Sequence, residues 1–173
     1  MATTLVAVEE YLSTSYADGD REYVDGQVVE RNVGEIEHAS LQSRIYLYLA
    51  VHYPEFWSAV EVRVQVKAER FRVPDVTLVA GPQPAGRIVV EPPHLSVEVL
   101  SPDDRAGDVQ EKIDDYLAFG IPYVWVVNPR TRRGYIHTVE ASREAKDGVL
   151  RTADPRIELP LDELFGAHAT AGA

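Results

Sequence analysis

Residues 95–127 run LSVEVLSPDDRAGDVQEKIDDYLAFGIPYVWVV, a strand, a helix and a second strand in close order. Leu95 to Leu100 is an apolar strand interrupted by Glu98, which shares a face with Ser96 and Leu100. Asp108 to Phe119 places Val109, Ile113, Tyr116 and Leu117 on one helical stripe, and Gly120 stops it. Tyr123 to Val127 is apolar on both faces, as a central strand is. The three together form a helical crossover.

The neighbouring segments extend a sheet around this unit. Val60 to Ala68 alternates, with Val60, Val62, Val64, Val66 and Ala68 opposite Glu61, Arg63, Gln65, Lys67 and Glu69, which predicts one strand. Pro74 opens a further strand, Asp75 to Ala80, and Gly81 to Gly86 is a loop. Glu22 to Glu30 predicts a hairpin turning at Asp25-Gly26. A short helix is expected over Val6 to Leu12, capped by Thr3 or Thr4. A longer one runs from Glu35 to about Val51 on the stripe His38, Leu41, Ile45, Tyr48, Leu49 and His52, and Pro54 closes it. Tyr135 to Val139 pairs back on the central strand through the turn Asn128 to Gly134, and Ile157 to Phe165 supplies a short extended piece and a helical turn. The order predicts an α+β (mixed α/β) fold: a mixed, mostly antiparallel sheet flanked by helices. Residues 1–166 are expected to form a single domain, with 167–173 as a flexible C-terminal tail.

Composition narrows the chemistry. The chain has no cysteine, which removes thiolate metal sites and cysteine nucleophiles. Its 28 Asp+Glu against 17 Lys+Arg give a formal charge of −11. That weakens non-specific attraction to nucleic acid, but it leaves room for a local basic groove or for carboxylates that hold a cation. No apolar run approaches a membrane span, and no basic start leads into an apolar stretch, so a cytoplasmic chain without a membrane partner is expected.

No Gly-rich phosphate loop, nucleophile elbow or His-Glu-x-x-His occurs in the sequence. What stands out is two carboxylates in apolar strands, Asp75 and Glu98. A carboxylate there costs several kcal/mol of desolvation unless it is paired, protonated or bound to a cation. Adjacent strands can point both at one spot, and two carboxylates plus water suit Mg²⁺ or Mn²⁺ better than zinc. Lys112 lies one turn after Val109 and one before Tyr116, so its stem can lie against the sheet while the ammonium reaches past the strand edge. Two carboxylates, a metal and a Lys make a constellation for phosphodiester hydrolysis.

Several ordered motifs carry a resemblance. Arg72-x-Pro74-Asp75, Glu98-Val-Leu-Ser-Pro102, Asp108-x-x-x-Lys112, Tyr116 and Gly120-Ile-Pro-Tyr-Val-Trp125 resemble the Uma-type restriction endonucleases, as do Glu22-Tyr-Val-Asp-Gly26 and His38. That bacterial family is placed in the PD-(D/E)XK nuclease superfamily, and the likeness spans roughly residues 5 to 140. It implies a restriction-endonuclease-like core, DNA as substrate, and Asp75 and Glu98 as metal ligands. The Lys that the superfamily carries two residues after its second carboxylate is Leu100 here, and Lys112 on the next helix is the position assigned to it. Superfamily members often add a carboxylate from the helix that carries His38, so Glu37 and His38 are rival contributors to the metal shell.

Each of these residues also has a plainer reading. Asp75 can be a strand-entry residue after Pro74, Glu98 a buried partner of Arg72 or Lys112, Lys112 a helix-surface charge, and His38 a hydrogen-bonded core residue. The basic stretch Arg63, Lys67, Arg70 and Arg72 either tracks phosphate as a substrate contact or is charge on an exposed strand. The expected function is a Mg²⁺- or Mn²⁺-dependent DNA endonuclease, with a homodimer where both strands are cut. The alternative is a catalytically silent nuclease-like module that binds or oligomerises.

Overall fold

The computed structural model describes residues 5–17, 19–31 and 35–166. The crossover at its centre is β7 (Leu95–Val99), α3 (Ala106–Phe119) and β8 (Tyr123–Asn128), with β7 and β8 parallel. Gly120 caps α3 at φ 104°, a left-handed geometry that a residue with a Cβ adopts only at a cost. On one side β8 pairs antiparallel with β9 (Arg133–His137), which carries β10 (Ser142–Glu144). On the other, β7 pairs antiparallel with β6 (Val76–Val79), and β6 with β3 (Trp57–Val60). The result is a six-stranded mixed sheet of order β10-β9-β8-β7-β6-β3. The mixed, mostly antiparallel sheet flanked by helices is as the sequence predicts.

Alternation along the strands sorts side chains between the two faces. Leu95, Val97, Val99, Trp125 and Val127 pack with Leu41, Ile45 and Leu49 of α2 (Ile36–His52). The same core takes in Leu150 of β11 (Val149–Arg151), Leu159 of β12 (Glu158–Pro160), and Leu161 and Leu164 of α4 (Leu161–Phe165). On the opposite face Val124 and Val126 pack with Ile113 and Tyr116 of α3. Glu98 projects toward that second face, where Tyr116 meets it.

A smaller four-stranded sheet, order β2-β1-β5-β4, lies beyond α3. It comprises β1 (Glu22–Val24), β2 (Gln27–Val29), β4 (Val64–Lys67) and β5 (Arg70–Arg72), with α1 (Val8–Ser13) packing Tyr11 against Tyr23 and Phe71. The predicted hairpin at Asp25-Gly26 is its outer pair.

The single strand predicted over Val60–Ala68 is instead two. Strand β3 ends at Val60, Glu61 turns the chain at φ 52°, and β4 begins at Val64 in the other sheet. The even period runs through this corner, so alternation alone conceals it. Helix α1 starts at Val8, and its N-cap is Ala7 rather than a Thr; Thr3 and Thr4 lie outside the described residues, as does the expected tail at 167–173. No helix among the described residues is long and apolar enough to cross a membrane.

Candidate active site

The register of β6 on β7 assembles the centre. Their outermost paired residues are Val76 and Val97, so the next step outward brings Asp75 alongside Glu98. Asp75 is anchored by its own backbone and side chain. Its carbonyl accepts from Gln42 Nε2 at 3.2 Å, and its Oδ2 accepts the Val99 N–H at 2.7 Å. His38 Nε2 lies 3.3 Å from the same oxygen, and Arg31 Nη2 donates to Oδ1 at 2.7 Å. Glu98 Oε1 accepts the Tyr116 hydroxyl at 2.6 Å, while Lys112 Nζ stands 3.3 Å from Oε2. Asp75, Glu98, Lys112, His38, Gln42 and Arg31 together wall a cavity of about 120 Å³.

Burial and charge set the protonation states. Burial works to raise the Asp75 carboxyl, but His38, Arg31 and the Val99 N–H outweigh it and hold it below the ordinary range. Burial also raises Glu98, Lys112 opposes, and the negative charges of Asp75 and Glu22 add to the rise, leaving it at about 7. Burial would lower Lys112, yet Glu98, Glu22 and Asp75 more than offset this and raise it. Lys112 is therefore a cation at neutral pH. It can stabilise negative charge but has no lone pair with which to accept a proton. The bond to Asp75 raises His38 against the opposing effect of burial.

Behind the cavity the charges continue as a buried chain. Lys112 Nζ is 3.2 Å from Glu22 Oε1, and Glu22 Oε2 accepts from Arg72 Nη1 at 2.9 Å. Arg72 also pairs with Asp115 at 2.7 Å, and Lys67 meets Asp115 at 3.1 Å. Arg63 donates to Asp20 at 2.7 Å. The four cations of the basic stretch, Arg63, Lys67, Arg70 and Arg72, are each bound to carboxylates of this chain. Of these, Arg72 is only 4% exposed and joins the small sheet to α3.

A scan against protein families matches residues 8–165 to the family described as "Uma2: Putative restriction endonuclease". The chain belongs to the Uma2 family. Among solved structures, this Uma2 chain is similar to "a putative nuclease belonging to DUF820 from Anabaena variabilis" at 18% identity, with a TM-score of 0.78. The alignment covers 92% of this chain and 97% of that one, a likeness of fold. No curated protein matches.

In the Uma2 chain, Asp75, Glu98, Lys112 and His38 converge. Glu37 does not: it is exposed on α2 and faces two other clefts beside Leu41 and Pro129. Of the plainer readings, the pair between Glu98 and Lys112 exists, while Arg72 turns to Glu22 and Asp115 instead. Sequence reasoning missed Arg31, Gln42 and the contact role of Glu22. Tyr116 carried a usable signal, since it follows Lys112 by four residues and so shares its helix face. Arg31 carried none, because only the chain's return past β2 brings it to Asp75.

Proposed function

We propose that this Uma2 chain is a divalent-metal-dependent DNA endonuclease, with Asp75 and Glu98 holding Mg²⁺ or Mn²⁺ and Lys112 assisting hydrolysis. The observation that carries the reading is the adjacency of Asp75 and Glu98 at the end of β6 and β7, with the Lys112 ammonium on Glu98. Among the described residues no group of three or more His, Asp or Glu forms an ion cage. Two carboxylates nevertheless fit Mg²⁺, which keeps several waters and completes its shell with substrate phosphate. Burial is the largest cause of the rise of Glu98 to about 7, against the pull of Lys112.

Bound there, the ion would polarise the phosphate and activate water. The chain's own residues do the rest. His38 and the Val99 N–H fix the Asp75 carboxylate, and Tyr116 fixes Glu98 through Oε1. Lys112, held between Glu98 and Glu22, offsets the negative charge that grows on the phosphoryl oxygens as water adds and the ester oxygen leaves. One such centre cuts one strand, so cleavage of both would take two copies.

A second reading keeps the fold without catalysis. It draws on the same contacts: Asp75 is already compensated by Arg31 and His38, and Glu98 by Lys112. Incubation of supercoiled plasmid and single-stranded DNA with Mg²⁺ or Mn²⁺, against an EDTA control, separates the two. The endonuclease nicks DNA only with metal; a binding module leaves both substrates intact.

A further inference from the structure

Arg31 lies just past β2 and sends its guanidinium into the cavity, with its side chain 15% exposed. Nη2 donates to Asp75 Oδ1 at 2.7 Å, and Nη1 is 3.4 Å from Glu61 Oε1. The two oxygens of Asp75 are held differently. Oδ2 is fixed by a backbone N–H and by His38, both on regular elements, whereas Oδ1 accepts from the end of one long side chain. Glu61, the other carboxylate paired with Arg31, adopts φ 52°, a left-handed conformation that a residue with a side chain takes only when its surroundings impose it. Here it puts another carboxylate on the cavity wall, within reach of the same guanidinium.

A positive charge thus already rests on Asp75 Oδ1. A divalent ion held by Asp75 would add a second positive charge beside the guanidinium in a space of about 120 Å³, where like charges repel strongly. We infer that Arg31 is a resident counter-cation of Asp75, which an entering divalent ion must displace and which Glu61 then retains. The inference rests on the metal-site reading of Asp75 and Glu98 and adds a control on loading: in the apo chain Arg31 compensates a buried carboxylate, and metal affinity is lowered by the work of moving it.

The test is direct titration of the full chain with Mn²⁺ by isothermal calorimetry, for wild type, Arg31→Gln, Arg31→Lys and Asp75→Asn, each checked for folding by circular dichroism. Arg31→Gln should bind Mn²⁺ about tenfold more tightly, because one charge-assisted hydrogen bond no longer has to be broken. Arg31→Lys keeps the charge but not the planar fork and should fall between. Asp75→Asn should lose the site. If Asp75→Asn loses binding while folded Arg31→Gln binds no more tightly than wild type, the counter-cation role is overturned and the metal site stands. Should Arg31→Gln not fold, Arg31→Lys decides: affinity equal to or weaker than wild type overturns the role. If wild type and Asp75→Asn bind alike, or neither binds, the metal-site reading fails and the inference falls with it.

Discussion

Replacing Glu98 by Gln should stabilise the metal-free chain at high pH and do nothing for it at low pH. Glu98 is 6% exposed, and its carboxyl is lifted from the ordinary 4.5 to about 7. The folded state therefore binds the proton more tightly than the unfolded chain does. The stability this gives is fully present below pH 4.5 and is lost as pH rises through 7. At about 1.4 kcal/mol per pH unit, the gap between 4.5 and 7 corresponds to about 3 kcal/mol, with the attraction of Lys112 already included. Gln has the same shape, cannot ionise, and still offers an oxygen to the Tyr116 hydroxyl. Urea or thermal unfolding in EDTA should thus find Glu98→Gln equal to wild type near pH 4 and up to about 3 kcal/mol more stable near pH 8.5. For a chain of this length that is roughly 6–12 °C in melting temperature. Mn²⁺ should reverse the order by stabilising wild type alone. A Glu98→Gln protein less stable than wild type at high pH without metal would refute the reasoning, since it would mean that ionised Glu98 is a net stabilising partner of Lys112.

Three further outcomes follow from the surrounding contacts. Tyr116→Phe removes the 2.6 Å bond to Glu98 Oε1, and should cost about 1–2 kcal/mol in urea unfolding while lowering the cleavage rate more than substrate affinity. Arg72→Met leaves the buried carboxylates of Glu22 and Asp115 without the cation between them; a loss of about 3–5 kcal/mol in the same assay is expected. Burial works to raise Asp115, but its bonds from Arg72 and Lys67 and the charges of Arg72 and Arg70 lower it overall. Its stabilisation is therefore present above the ordinary carboxylate range and lost as pH falls through the lowered value, so the stability difference between wild type and Asp115→Asn should shrink below about pH 4.

How much of this was legible depends on whether the signal is local. The crossover of β7, α3 and β8 could be read because its apolar residues keep the periods of strand, helix and strand within 33 consecutive positions. Asp75 and Glu98 stood out because a charge in an apolar strand is costly wherever the strand goes. The two-sheet division was not legible. Strand β5 is three residues of Arg, Phe and Arg, and Arg72 at its end is buried only because Glu22 and Asp115 come from distant segments to meet it. The same holds for Arg31, whose partner is 44 residues away, and for Glu22, which reads as the first residue of a hairpin and serves as a counter-charge to Lys112. Single residues reveal that a charge needs compensation; only the folded chain reveals by what.

In the proposed endonuclease Asp75, Glu98 and Lys112 form one hydrolytic centre. The most direct measurement is nicking of supercoiled plasmid in Mg²⁺ or Mn²⁺ by wild type, Glu98→Gln and Lys112→Ala purified side by side, with folding verified by circular dichroism. Metal-dependent nicking by wild type that is lost in both folded variants is the predicted result. Nicking that survives in Glu98→Gln at the wild-type rate would contradict it.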